Sequence, residues 1–346
     1  MRIGLELEYW VIDREGELSS AKKISGTDFT EQEFVEPLLE IKTRPHKDLD
    51  NLEGEIKNKI SSILETAEEE GLKIVPLGTP LNSGRIKKIS SKRGEIQREI
   101  VGERLQAAKR VAGTHIHFEK ENVKNQLNIL TALDPALALL NSSPYYKGES
   151  ISSSSRNKAY RHHCYKELPG HGQLWKYTDS IDEWKQRVEK KFQEFKEAGK
   201  KNGITEEEIK EHFSAEDALW TPVRLRSRLP TVEWRSPDTA KPCQVIKLVR
   251  ESKKIVEKAS EKGLNTEDGV EVPKFKKVQE LSDKAIKEGM KSSEVIEYLE
   301  KLGFSPENYT DISEKWREGE KISMEKASKI RLEAAEGFRR SFYENY

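Results

Sequence analysis

Hydrophobic and polar residues alternate with period two in four short stretches of the first 240 residues. From Ile3 to Trp10, Ile3, Leu5, Leu7 and Tyr9 fall on one side and Gly4, Glu6 and Glu8 on the other, as a half-buried strand requires. Leu38 to Thr43 sets Leu39 and Ile41 against Glu40 and Lys42. Val111 to Phe118 sets Ala112, Thr114, Ile116 and Phe118 against Gly113, His115 and His117. Thr231 to Ser236 sets Val232 and Trp234 against Thr231, Glu233 and Arg235. Between these strands the period changes. Leu49, Leu52, Ile56, Ile60, Ile63 and Ala67 recur at steps of three and four, with Gly71 as the stop signal. Asn122 to Leu140 reads as a second helix, with Leu127, Leu130 and Leu133 inward, and Ile181, Trp184, Val188, Phe192 and Phe195 mark a third. Thr205 and Glu208 form a capping box for a short fourth. Beyond Pro242 the spacing predicts helices at about 243–262, 273–290, 292–303 and 323–344. The class is α+β. A sheet domain over 1–240 carries a helical C-terminal region, 241–346, packed on it, as two units or a single one.

Each strand's apolar side is core; the other side carries the information. The four polar faces read Glu-Glu, Glu, His-His and Glu-Arg. A wetted sheet face normally mixes Lys, Thr, Ser and Gln, whereas this set is nearly all oxygen and nitrogen ligands plus a guanidinium. Such a surface suits a hard cation that takes carboxylate oxygens and leaves positions for water and phosphate, which means Mg²⁺ or Mn²⁺. Zinc stays open as the alternative, because His115 and His117 both offer ring nitrogens. Arg224, Arg226, Arg228 and Arg235 cluster around the last strand and would serve an anionic substrate.

Charge narrows the class. The 61 Lys and Arg cancel the 61 Asp and Glu, which argues against a dedicated nucleic-acid or membrane-surface protein. No run approaches the ~18 apolar residues of a membrane span, and the first residues turn acidic at once, unlike a secretory leader. Two cysteines are too few for a disulfide scaffold, so a cytoplasmic setting is expected. Segment 85–110 is basic (Arg85, Lys87, Lys88, Lys92, Arg93, Arg98, Arg104, Lys109, Arg110). It reads either as a loop closing over phosphates or as a solvated surface with Glu95, Glu99 and Glu103 interspersed. His162 and His163 beside Cys164 read as incidental rather than ligating, Ser150 to Ser155 as a short loop, and His46 as a turn residue near the site mouth.

Four segments, Gly4-Leu5-Glu6-Leu7-Glu8, Glu36-Pro37-Leu38-Leu39-Glu40-Ile41-Lys42-Thr43, Gly113-Thr114-His115-Ile116-His117 and Thr231-Val232-Glu233-Trp234-Arg235, stand in an order that resembles the glutamate–cysteine ligases and related carboxylate–amine ligases of the glutamine-synthetase-like superfamily. Trp220 to Arg224, and Asn141-Ser142-Ser143-Pro144 with Arg156, are similar to further family segments; the likeness covers roughly residues 1–240. The resemblance implies a curved antiparallel sheet funnel backed by helices, with metals and substrates on its concave face. It implies one metal site of Glu6, His115 and Glu233 and a second of Glu8 and Glu40, with Glu36 nearby as a ligand or a contact to the amine. Arg235 and Arg224 would face the transferred phosphate, His117 the nucleotide, and Arg156 the acid substrate. The chain departs from the family where Ser152 to Ser155, rather than a Tyr-Ala-Ser-type segment, precede Arg156.

The activity so implied is ATP- and Mg²⁺-dependent ligation of the glutamate γ-carboxylate to the amine of cysteine, the entry step to glutathione. ATP would convert the carboxylate to an acyl phosphate, at two or more Mg²⁺ or Mn²⁺ ions, with Arg235 and Arg224 cancelling charge and Glu36 taking the ammonium proton. The alternatives are a ligase with another acid or amine, a non-catalytic nucleotide- or amino-acid-binding relative, and a guanidino kinase. Small molecules are the expected partners, with no nucleic acid and no membrane; the sequence does not set an oligomeric state. Glu233→Gln is expected to leave the metal-free melting temperature unchanged or slightly raised, by relieving repulsion among carboxylates.

Overall fold

The computed structural model of the protein describes all residues except 28, 33–34, 83, 85, 88–90, 103–104, 165–167, 169 and 346. Its strands are β1 (Ile3–Ile12), β2 (Thr30–Gln32), β3 (Leu38–Lys42), β4 (Lys73–Val75), β5 (Thr114–Glu119), β6 (Tyr145–Tyr146), β7 (Glu149–Ser150), β8 (Val223–Leu225) and β9 (Thr231–Trp234). The helices are α1 (Leu49–Glu69), α2 (Lys92–Val101), α3 (Leu105–Ala108), α4 (Val123–Ala132), α5 (Ser155–Ala159), α6 (Ile181–Lys201), α7 (Glu206–His212), α8 (Pro242–Lys262), α9 (Phe275–Glu288), α10 (Ser293–Leu302), α11 (Ile312–Trp316) and α12 (Met324–Asn345). None is long and apolar enough, among the described residues, to cross a membrane.

The main sheet is antiparallel in the order β2-β3-β1-β5-β9-β8, with β4 paired to the far end of β1. Its apolar side follows the alternation. Ile3, Leu5, Leu7, Leu39, Ile41, Ile116, Val232 and Trp234 are buried with residues of α1, α4, α8, α9 and α10 in one continuous core. The C-terminal helices therefore share the core of the strands. Past Glu8 the alternation ends, because both sides of β1 are covered. Trp10 and Ile12 pack with Val75, Leu77 and with Ala327, Ile330, Ala334 and Ala335 of α12, and the Trp10 indole donates to the Leu77 carbonyl at 2.9 Å. That packing confines the polar face to the first half of β1.

Two expectations need correction. Asn122 to Leu140 is not one helix: α4 stops at Ala132 and a 3₁₀ stretch runs from Asp134 to Leu140, since Pro135 cannot donate into an α-helical ladder. Within the basic segment, 92–101 is a helix rather than a loop: its Ile96, Ile100 and Val101 are buried with Phe192 and Phe195 of α6 and Ile209 of α7, while Lys92, Arg93, Glu95, Arg98 and Glu99 stay exposed on its outer face, as the solvated-surface reading expected. Arg85, Lys88, Glu103 and Arg104 of that segment lie outside the described residues. Ser152 to Ser154 lie in a short loop, as expected, and are buried there; Ser155 opens α5.

After α5 a π-helical turn, Tyr160–Cys164, carries Arg161 into the interior. There its guanidinium grips Asp134 with two bonds of 2.8 and 2.9 Å, and the hydroxyls of Ser236 and Ser282 also donate to Asp134. This knot ties the end of β9, the turn after α5 and α9 together around a fully buried carboxylate. Removing one partner strands the other in low dielectric. Asp134→Ala should lower unfolding free energy by roughly 3–5 kcal/mol, read by urea denaturation; a loss under ~1 kcal/mol would show that the knot contributes little.

Candidate functional site

Register decides which side chains meet. Antiparallel pairing places Glu6 opposite His115, Glu8 opposite Glu40, His117 opposite Glu233, and Arg224 opposite Glu233. Residues directly opposite point to the same face, so the polar residues of β1, β3, β5, β8 and β9 share one surface. A cavity of about 400 Å³ stands over it, lined by Glu6, Glu8, Glu40, His115, Arg156, Arg224 and Arg235 among others.

Glu6 sits at the centre. His115 Nδ1 donates to Glu6 Oε2 at 3.0 Å, and His117 Nε2 lies 3.3 Å from Glu6 Oε1. Glu233, fully buried, is held from the other side: Arg224 Nε and Nη2 both lie 2.8 Å from its Oε2, and Arg235 Nε lies 3.2 Å from its Oε1. Lys42 bridges Glu40 and Glu31 at 2.9 and 2.7 Å. Glu8 accepts the Gly113 N–H at 2.6 Å. Arg156 is 2% exposed; its Nη1 and Nη2 donate to the carbonyls of Ser236 and Arg235 at 3.0 and 3.1 Å. Its guanidinium lies so close over Gly113 that a Cβ there would come within 2.1 Å of Nη2, which explains a glycine beside the two histidines. Trp220, stacked on Tyr160 at 3.7 Å between centroids, lies under Arg235.

Burial sets the electrostatics. Burial raises the Glu6 carboxyl, but His115 and His117 more than reverse this and hold it well below the usual range. Glu233 is likewise pushed up by burial and pulled far down by Arg224 and Arg235. Glu8 has weaker compensation: burial, with repulsion from Glu40, overcomes Arg156 and raises it to about 7. Burial and the charge of Arg235 lower His115 to about 4, so its imidazole is neutral at pH 7. Burial and Arg235 also bring Arg224 down to about 10.

Donor atoms fall into two groups, Glu6–Glu40–His115 and Glu6–His117–Glu233, each with its ligand atoms within 4.8 Å of one another. Carboxylates outnumber imidazoles in both, the described imidazole of His115 is in its ligating neutral form, and Glu233 Oε1 is buried without a hydrogen bond. This set fits Mg²⁺ or Mn²⁺. The grouping differs from the expected one: Glu6 is shared, His117 joins a donor group as well as being expected to face the nucleotide, and Glu8 joins neither group among the described residues, although it lines the cavity with one oxygen on the Gly113 N–H. Glu36 lies outside the cavity lining, with its carboxylate 3.9 Å from Lys87. Arg228 is exposed and does not line the cavity, and His162 joins neither donor group among the described residues. The side chain of His163 lies outside the described residues. His46 pairs with Glu55 on α1. Not anticipated were Lys42, Glu31, Asp217 and Tyr160 in the lining, which also includes Arg93 of the basic segment. Lys42 shares the parity of Glu40 along β3 and was findable on that ground; the others come from segments with no period-two signal.

Sheet and site together define a class: an antiparallel sheet backed by helices, whose polar face sets carboxylate–imidazole donor groups against an arginine wall. Residues 2–259 match the model of glutamate–cysteine ligase family 2, and the chain belongs to that family. A relative from Bradyrhizobium diazoefficiens, provisionally named glutamate–cysteine ligase 2, is 24% identical over 252 residues, covering 68% of this chain and 54% of the relative. A second, from Bradyrhizobium sp. (strain ORS 278) with the same provisional name, is 25% identical over 253 residues, covering 68% of this chain and 56% of the relative. The chain thus spans about half the length of these curated relatives. Among solved structures, a bifunctional glutathione synthetase from Pasteurella multocida is similar in fold at a TM-score of 0.60 and 17% identity, over 99% of this chain and 53% of that one. A glutamate–cysteine ligase from Francisella tularensis, solved in complex with AMP, is similar at 0.60 and 14% identity, over 99% and 88%.

Glu233, fully buried, and Glu8, half-buried, should respond oppositely to neutralisation in chelator-treated protein. Glu233 is stabilised as an anion by Arg224 and Arg235, so the expectation of an unchanged or raised melting temperature is reversed: Glu233→Gln should cost stability, toward the lower end of the ~3–5 kcal/mol for breaking a buried pair. Glu8 has a raised folded value of about 7 against 4.5, so its contribution is full below about 4.5 and is lost as pH rises through 7. Glu8→Gln should therefore be stabilised relative to wild type at pH 8 but not at pH 4, by an amount on the order of 3 kcal/mol. Melting curves across this range read both; parallel curves for Glu8→Gln and wild type would refute the assignment.

Proposed function

We propose that this protein is an ATP- and Mg²⁺-dependent ligase that joins the γ-carboxylate of glutamate to the amine of cysteine through an acyl phosphate. The observation that carries the reading is the meeting, in one cavity, of two donor groups sharing Glu6 with the guanidinium groups of Arg224, Arg235 and Arg156, in a chain of this family. The catalytic groups all come from residues 1–240, and the helices of 241–346 support the sheet.

A carboxylate is a poor electrophile, and ATP overcomes this by phosphorylating it. That step brings two anions together, so the site must supply positive charge in fixed positions. Mg²⁺ held by Glu6, Glu40 and His115, and by Glu6, His117 and Glu233, would supply Lewis-acid charge on the phosphate oxygens. Arg235 and Arg224 act on the phosphoryl group in transfer. Both are already oriented by Glu233, so little reorganisation is needed during reaction. Arg156 lines the cavity and would meet the carboxylate of the acid substrate. Trp220 and Tyr160 present aromatic surface that keeps water from the acyl phosphate. No proton transfer is drawn through Glu36, which stands apart beside Lys87.

Protein supplied with ATP, Mg²⁺, glutamate and cysteine should release ADP and phosphate and form the γ-linked dipeptide, scored by product mass. Glu233→Gln and Arg235→Lys should each lower turnover by at least about 100-fold, since one loses ligand charge and the other the planar fork. AMP as product would remove the acyl phosphate, and ADP formed together with a phosphorylated small molecule instead of a ligated product would point to a kinase. Turnover with a different acid but not with glutamate would retain the ligase and change its substrate.

A further inference from the structure

A slot of about 280 Å³ adjoins the cavity over the sheet: Glu6 and Lys42 line both. Its volume falls just under the roughly 300–1,000 Å³ of a whole small-molecule site, so it suits one part of a ligand whose remainder lies over the sheet. The sheet cavity is lined mostly by charged groups, whereas the slot is walled by Pro45, Leu229 and Pro230, all exposed, and floored by Gly4. Pro45 follows β3 and Leu229–Pro230 precede β9, so they stand on opposite sides of the β1–β5 pair. Leu229 is 40% exposed and has apolar area left to cover. Gly4 has the parity of Glu6 and Glu8, so a side chain there would point onto the polar face. Its φ is not positive, and a Cβ would meet nothing nearer than 3.9 Å. Neither backbone nor crowding calls for a glycine; its effect is to leave the floor of the slot bare.

We propose that this slot takes the base of the phosphate donor by apolar contact, between Pro45 and Leu229–Pro230 over Gly4, so that nucleoside triphosphates are accepted whatever the hydrogen-bonding pattern of the base. The inference rests on the ligase reading above and adds the specificity of its donor. Two members of the donor group Glu6–His117–Glu233 line the slot, so phosphates held by a cation there leave the rest of the nucleotide beside it. Arg156, Arg224 and Arg235, which suit carboxylates and phosphates, line the sheet cavity and not the slot. The polar groups of the slot are turned toward one another. Arg2 Nε and Nη2 donate to Glu119 Oε1 and the Arg2 N–H to Oε2, Thr231 bonds His117 at 3.1 Å, and Thr43 accepts the Leu5 N–H at 2.8 Å. Pro45 and Pro230 have no N–H to give, and the carbonyls of Leu229 and Pro230 already accept from the backbone of Thr231 and Lys120 at 2.8 and 2.9 Å. A base between these walls meets hydrocarbon at its faces. Such a pocket selects by size and rejects an altered polar edge only weakly, whereas a site built to bond that edge rejects the altered base by roughly 10⁴–10⁵.

Titration calorimetry of the full chain with Mg²⁺ and ATP, GTP or inorganic tripolyphosphate reads this without turnover. GTP reverses the donor and acceptor positions of the adenine edge at the same ring size, and tripolyphosphate has no base. The Kd values for ATP and GTP should agree within about tenfold. Leu229→Ser removes apolar area that a base would cover and should weaken both nucleotides by roughly three- to eightfold. Gly4→Val fills the floor of the slot and should weaken both by about fivefold or more. Neither substitution should shift tripolyphosphate by more than about twofold. Melting curves establish that each variant is folded, and two positions guard against one that is not. A preference for ATP over GTP above about 100-fold overturns the inference while leaving the ligase reading standing. Equal losses for nucleotide and tripolyphosphate, or no loss for either in both folded variants, also overturn it alone. Failure of ATP and tripolyphosphate alike to bind the wild-type chain overturns it together with the ligase reading.

Discussion

Carboxylates gathered on one sheet face, with water largely excluded, repel one another, and everything around this site is arranged to hold them ionised. Glu233 is fully buried and remains an anion because Arg224 and Arg235 close on it from two strands. Glu6 remains an anion because His115 and His117 flank it on the neighbouring strand. Glu40 is matched by Lys42 two residues along its own strand. Where compensation is weakest, at Glu8, the carboxyl rises to about 7. The charge pattern is thus set by antiparallel register: a slip of one residue in β5 against β1 would turn both histidines into the core.

The rest of the fold keeps that register and shapes the cavity. Trp10 and Ile12, sealed under α12, end the polar face after Glu8. The Asp134–Arg161 knot fixes the turn that follows α5, and Arg156 on α5 is delivered over Gly113 and bonded to the carbonyls of Arg235 and Ser236. A separate apolar cluster of α2, α3, α6 and α7 ends at Trp220, which carries Arg235 across its ring face. Charged groups placed by three structural layers therefore meet over a few strand residues, and none has to move far to meet an anionic substrate.

How much of this was legible in the sequence follows from period. Glu6, Glu8, Glu40, His115 and Glu233 sit on strands long enough to alternate, with β-branched or large apolar residues between them, so their common face could be read. Strands β2, β4 and β8 are three residues each, too short for alternation to register. Glu36 shares the parity of Glu40, yet it lies before β3 begins at Leu38, in a turn that breaks the parity and sends its carboxylate to Lys87. The helix at 92–101 was hidden by the basic residues between Ile96, Ile100 and Val101. Arg156 could be singled out only by resemblance, since no periodicity marks a buried arginine preceded by four serines. The partition of donor atoms was illegible too, because it depends on side-chain reach across strands rather than on which face a residue occupies.

The central claim is that Glu6 is the shared member of two cation sites on this sheet face. Anomalous scattering from crystals of the protein grown with Mn²⁺ and a non-hydrolysable ATP analogue tests it directly. The account predicts two peaks, one bound by Glu6, Glu40 and His115 and the other by Glu6, His117 and Glu233, with Mn–O distances of about 2.0–2.3 Å for small octahedral cations. Peaks that leave Glu6 unligated, or none on this face while the analogue is bound, would contradict it.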